Sequence, residues 1–131
     1  MKYLLDTAVV IHNLIAKSRL NRKALQLLAN DSAELYLSAA SSWEITIKFG
    51  TGKLVLPQPP SEFVIRAIQL MALQSLDITH SHVAALEKLP NYHRDPFDRM
   101  LIAQAQAESL VLLTADRNFE KYPVEMFWCG T

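Results

Sequence analysis

The chain has 131 residues, half of them hydrophobic, and its 13 Lys and Arg balance 13 Asp and Glu, a size and composition suited to one compact domain. That balance excludes an overall field that would draw the molecule to nucleic acid or acidic membranes, so any polyanion must be held locally. A lone cysteine, Cys129, rules out an intramolecular disulfide and a cysteine-built zinc site and fits a reducing cytoplasm, while no apolar run reaches the ~18 residues of a membrane span.

In chain order, KYLL (2–5) reads as a short apolar strand ended by Asp6, and AVVIHNLIA after it has the density of a buried helix. Because Asp6 interrupts this N-terminal apolar run and no small-residue cleavage site follows, it reads as core and not as a secretion signal. SRLNRKALQLLAND forms a second helical pattern, with Leu20, Ala24, Leu27 and Leu28 along one side. ELYLS (34–38) is a brief strand, and SSWEITIKFG (41–50) a helix started by serine and stopped by Gly50, with β-branched Ile45, Thr46 and Ile47 arguing against it. After the proline-punctuated KLVLPQPP, Ser61 is expected to cap a helix through EFVIRAIQLMALQ. SLDIT (75–79) is a strand candidate and SHVAALEKLP a short helix ending before Pro90. HRDPFDRMLIAQA (93–105) opens a long helix near Pro96, LVLLT (110–114) is the clearest strand, and EMFW (125–128) supplies a last one. Short apolar strands alternating with helices, with no hairpin dipeptide between them, predict an α/β fold with a mainly parallel, buried sheet.

On that scaffold the acids acquire a pattern. Asp6 directly follows the first strand, Asp116 lies two residues past LVLLT, Glu44 sits in the helix after ELYLS, and Asp98 occupies the first turn of the MLIAQA helix. Ligands of open parallel sheets bind beyond the C-terminal strand ends, so topology brings these distant acids to one edge. Two carboxylates about 4 Å apart repel by about 4 kcal/mol at an effective dielectric of about 20, and no Lys or Arg stands beside Asp6. Hard divalent cations are the natural compensation, Mg²⁺ or Mn²⁺ above all, and such ions serve phosphate chemistry.

The pieces LLDT, SAASSWEITIKFGTGKL, HRDPFDRMLIAQA and LLTADRNF, in this order and spacing, resemble a PIN domain, and within that family the VapC-type toxins of bacterial toxin–antitoxin pairs. With the helices between them they cover essentially the whole chain. The resemblance implies a single PIN-like domain, residues 1–131, with a parallel sheet of about five strands flanked by helices on both faces. It implies a metal-dependent endoribonuclease in the cytoplasm, hydrolysing RNA with a metal-activated water and held inactive by a cognate antitoxin. Carried onto this chain, the acidic site is Asp6, Glu44, Asp98 and Asp116, holding Mg²⁺ with Mn²⁺ as substitute.

Each residue also has a plainer reading. Asp6 suits a helix cap, Glu44 a pair with Lys48 one turn on, Asp116 a cap at DRNF, and Asp95 before Pro96 is an N-cap that needs no metal. Asp98 is expected to bind directly and Asp95 to cap or act from behind the ligands. Thr7 and Ser42 are candidate orienting hydroxyls, and Thr114 is placed to orient Asp116 or a metal-held water. Arg94, Arg99 and Arg117 either contact phosphate or neutralise the acids beside them, and Lys48 and Lys53 are candidate RNA contacts. His93 is placed to transfer a proton or touch the RNA, although a lone loop histidine is more often just solvated, and His80 and His82 receive no role. VVIHNLIA and FVIRAIQLMAL carry more apolar residues than one buried face requires, which suits a homodimer or an antitoxin groove as well as full burial. Two rival functions remain open: an aspartyl-nucleophile phosphatase, although Ala8 stands where its second aspartate belongs, and a noncatalytic Mg²⁺-binding interaction module resembling receiver domains.

Overall fold

Five strands, β1 (Lys2–Leu5), β2 (Glu34–Ser38), β3 (Gln74–Leu76), β4 (Val111–Thr114) and β5 (Met126–Trp128), form one wholly parallel sheet in the order β3-β2-β1-β4-β5. The structure is a computed structural model and describes residues 1–131. Parallel neighbours need crossovers, and these are supplied by α1 (Thr7–Ile15), α2 (Arg22–Leu28), α3 (Ala39–Gly50), α4 (Pro60–Met71), α5 (His80–Leu86) and α6 (Pro96–Glu108). The chain builds outward from β1 through β2 to β3, then returns to start β4 on the other side of β1. The topological switch point therefore lies between β1 and β4, at the ends that carry Asp6 and Thr114.

Successive residues of a strand face opposite sides, and the paired leucines exploit this. Leu5 and Leu113 join Val9, Val10, Ala24, Ala67 and Met71 in a core under α1, α2 and α4. Leu4 and Leu112 point the other way, into a core with Leu101, Ile102, Ala105 and Phe119. Both faces of the sheet are thus covered, which is why its strands lack polar alternation. No helix is long and apolar enough to cross a membrane.

Several boundaries differ from the sequence expectations. The second helical pattern is divided: a 3₁₀ turn, Lys17–Arg19, precedes α2, which starts at the cap Asn21. The Asn21 side chain accepts from the Ala24 N–H and its amide donates to the carbonyls of Trp128 and Gly130, so it caps a helix and holds the C-terminal strand at once. Helix α3 begins two residues early, capped by Ser38 and not Ser41. Its β-branched run stays helical because Ile45 is buried in the interior and the Thr46 hydroxyl donates back to the Ser42 carbonyl. Ser61 is not the cap of α4; Pro60 opens that helix after Pro59, with no side-chain cap, as proline at the first position permits. The helix ends on Ala72 in the left-handed region, releasing Gln74 into β3, which stops at Leu76 and not at Thr79. Thr79 instead forms a capping box with His82. The buried His82 ring accepts the Thr79 N–H at Nδ1, which leaves Nε2–H for the Glu108 carboxylate at 2.7 Å, joining α5 to α6.

Candidate active site

Strand β1 delivers Asp6 to the switch point, and α1 begins at the next residue. Asp6 occupies the N-cap position, yet its side chain makes no capping hydrogen bond. Its Oδ2 accepts from the Thr114 hydroxyl at 2.8 Å, and the Thr114 oxygen in turn accepts the Asp116 N–H at 3.0 Å. One buried hydroxyl thereby fixes the side chain of Asp6 and the backbone of Asp116 together. Asp116 does cap its 3₁₀ turn, accepting from the Asn118 N–H with Oδ1.

Helix α3 contributes Glu44, 5% exposed, one oxygen of which holds the Lys48 ammonium in the expected i,i+4 pair. Its Oε1 is buried without a hydrogen-bond partner. Helix α6 contributes Asp98 from its first turn, where Asp95 caps the helix by accepting from the N–H groups of Phe97 and Asp98. A cleft of about 510 Å³ collects all of them: Asp6, Glu44, Asp95, Asp98 and Asp116 line it with Lys48 and Lys53. Within it the ligating atoms converge as two groups that share Asp98: Glu44 with Asp95 and Asp98, and His93 with Asp98 and Asp116, each inside 4.8 Å. Asp6 lines the same cleft but belongs to neither group.

Five carboxylates against two lysines give this cleft a formal charge of −3 with its histidines neutral. The electrostatic consequence falls on the two most buried aspartates. Burial, then the charge of Asp98, pushes the Asp6 carboxyl up to about 7, the Thr114 hydrogen bond opposing. Burial, then Asp95, Glu44 and Asp116, pushes Asp98 up to about 7 as well, against the pull of Lys48. Thr114→Val should therefore raise the Asp6 midpoint further in metal-free protein, read by carbon NMR titration of the carboxyl; an unchanged or lower midpoint would show that the hydroxyl does not stabilise the carboxylate. Cys129 has no part in this chemistry, since burial first and Asp6 second hold its thiol up at about 12.

The remaining candidates separate. Thr7 donates to the buried Ser41 hydroxyl at 2.8 Å, tying α1 to α3, while Ser42 does not line the cleft. Arg99 turns away from the acids and donates to the carbonyls of Pro90 and Leu89, holding the loop before α6. Arg117 pairs with Glu120 and lies 3.6 Å over the Trp128 ring. Arg94 lines a shallow adjoining groove with Lys48, Lys53 and Phe97. Of the two cleft histidines, one departs from its solvated reading and the other is not singled out by the sequence. His93 is not solvated, its Nε2 lying 2.8 Å from Asp98 Oδ2, and His12 enters from α1, where burial and then Arg19 lower its pKa. Helical phase alone would have found His12, one turn after Ala8; nothing local marks His93.

Comparison with known proteins gives a consistent picture. The family model for the PIN domain matches residues 3–125. Over 50 residues the chain is 38% identical to Ribonuclease VapC16 of Mycobacterium tuberculosis, a stretch that is 38% of this chain and 36% of that protein. The fold is similar to that in the VapBC2 structure from Rickettsia felis, solved with a DNA fragment from their promoter, at a TM-score of 0.73 and 17% identity over 97% of this chain and 98% of that one. It is similar also to that in FitAcB from Neisseria gonorrhoeae, at a TM-score of 0.68 and 24% identity over 97% and 96% of the two chains.

Proposed function

The chain belongs to the PIN domain family, and on that premise we propose that it is a metal-dependent endoribonuclease acting as the toxin of a toxin–antitoxin pair. The observation that carries this reading is the convergence of Asp6, Glu44, Asp98 and Asp116, from four separate elements, in one cleft at the switch point of the sheet. Capping does not account for Asp6, which makes no capping bond, or for Glu44, which lies inside a helix.

The donor set fits a hard divalent cation. It consists of carboxylate oxygens, two of its members are pushed up to about 7 by burial and mutual repulsion, and Glu44 Oε1 is buried with nothing to bind. Asp6, Glu44, Asp98 and Asp116 would hold Mg²⁺, with Mn²⁺ as substitute. When bound, such an ion neutralises the carboxylates and lowers the pKa of water at the site, supplying a nucleophile for a phosphodiester.

The chain's own residues do the rest. Thr114 keeps Asp6 and Asp116 in register, Asp95 caps α6 so that Asp98 stays aimed into the cleft, and Lys48 holds Glu44. Lys53 and Arg94 at the rim are the cations free to meet RNA phosphates, a small set that predicts a shallow salt dependence of binding. The phosphatase alternative gains nothing, because Ala8 lines the cleft where a second aspartate would be needed.

A toxin–antitoxin complex from Klebsiella pneumoniae and VapBC-5 from Mycobacterium tuberculosis, a member of the VapBC family of toxin–antitoxin systems, are among the similar structures and support a cognate antitoxin as partner. Ile15 on α1, Ile65 and Leu70 on α4, Trp43 on α3 and Val55 after it are exposed apolar side chains that an antitoxin or a second copy of the chain would cover. The test is incubation of the purified protein with structured RNA. Cutting is expected with Mn²⁺ or Mg²⁺ and none in EDTA; cutting that persists in EDTA, or none with either ion, would sink the reading.

A further inference from the structure

His93 lies two residues before the cap of α6, in a segment with no regular structure, yet its position is fixed from two directions. Its backbone N–H donates to the Tyr122 hydroxyl at 2.8 Å, and its ring meets Phe119 edge-on at 6.1 Å and 82°. Phe119 and Tyr122 are both buried and belong to the turn that follows Asp116. The segment that carries Asp116 thus also holds the imidazole against it.

The resulting geometry is unlike that of a simple histidine–aspartate pair. Nε2 lies 2.8 Å from Asp98 Oδ2 and 4.0 Å from Asp116 Oδ2. Despite the short first distance Nε2 has no aligned hydrogen bond, and it is buried. Around a divalent ion with bonds of about 2.1 Å, neighbouring ligand atoms stand roughly 3 Å apart and opposite ones about 4 Å. The two separations here match those values, and all three atoms fall inside 4.8 Å. The other group sharing Asp98 offers oxygen alone, from Glu44 and Asp95.

We infer that His93 Nε2 is a direct ligand of a divalent cation held with Asp98 and Asp116, and that this one nitrogen donor strengthens the site's hold on Mn²⁺ far more than its hold on Mg²⁺. Mg²⁺ favours all-oxygen surroundings and loses little without an imidazole, whereas Mn²⁺ accepts carboxylate and imidazole together and lies on the transition-metal affinity series. The inference rests on the metal-dependent reading above and adds a ligand to it. His12, the other histidine lining the cleft, is outside this group and serves as the internal control.

The experiment uses the full chain without an affinity tag and Mn²⁺ as the probe. Electron spin-echo envelope modulation of bound Mn²⁺ should show nitrogen coupling that changes pattern when the protein is grown with heavy-nitrogen-labelled histidine, a readout on the unmutated chain. His93→Gln should remove the coupling and weaken Mn²⁺ binding in calorimetry by about tenfold, with Mg²⁺ binding changed by less than about twofold. His12→Gln should leave the coupling in place. Mn²⁺ bound without nitrogen coupling in the wild type, or coupling that survives His93→Gln, would overturn the assignment and leave the metal-dependent reading standing. No Mn²⁺ binding by the wild type at all would bring down both.

Discussion

Asp98→Asn is expected to lower RNA cleavage by more than about a hundredfold, beyond the 10–100-fold that partners of a metal ligand typically cost. Asp98 is the one carboxylate common to both convergent groups in the cleft, so its loss removes a charge from each. The substitution is nearly isosteric and its site lies in the first turn of a helix capped by Asp95, so the fold should survive. Asp6→Asn should behave alike, since the amide oxygen still accepts the Thr114 hydroxyl while the charge is gone. Asp95→Ser is the contrasting variant: a serine preserves the cap, and most activity should remain. In a bacterial host, expression of the wild type should arrest growth and expression of Asp6→Asn or Asp98→Asn should not. Equal toxicity of all three, with the variants shown to be folded, would remove the acids from the chemistry.

The second large effect is on stability against pH. In EDTA the unfolding free energy of the wild type should fall relative to Asp6→Asn and Asp98→Asn as pH rises from about 4 to about 7. The sign follows from linkage: both carboxyls are raised from 3.8 to about 7 in the folded chain, so between those values the folded state holds more protons than the unfolded one and loses stability as they leave. One group shifted this far corresponds to about 4 kcal/mol, and because Asp6 and Asp98 raise each other the two do not add. Urea melts across the pH series measure the difference between wild type and variant directly. A divalent cation should restore the lost stability near pH 8 and do little near pH 4, because it binds the ionised carboxylates. A wild-type-minus-variant difference that stays flat or rises with pH would mean that these carboxyls are not strained by their surroundings.

The strands and the acidic positions were legible for local reasons. KYLL and VLLT are short apolar runs whose side chains must enter both cores, and Asp6 and Asp116 follow them at strand ends where a parallel sheet opens. Asp95–Pro96 marked the start of α6 because cap and proline act within four residues of chain. Less was legible at α3. Neighbouring residues of a helix point about 100° apart, and only the packing that buries Ala40, Ser41, Glu44 and Ile45 turns Ser41, not Ser42, toward Thr7 and leaves Ser42 beside Thr46. Ser61 misled because a cap and a first-turn residue differ by only two positions, and Pro60 had already taken the start.

By itself, then, the sequence determined an α/β order of elements and a parallel sheet, through periodicity; the family, through the resemblance of four motifs in order; and four acids destined for one rim, three from their places at the ends of elements and Glu44 from its helix directly after β2. Tertiary structure alone decided how those acids are partnered. It drew Arg99 off to the carbonyls of Leu89 and Pro90, grouped Glu44 with Asp95 and Asp98, and set His93 against Asp98 and Asp116 through a hydroxyl 29 residues away. Such pairings are fixed by contacts between distant segments, and a side chain's neighbours across a cleft leave no trace in the residues beside it along the chain.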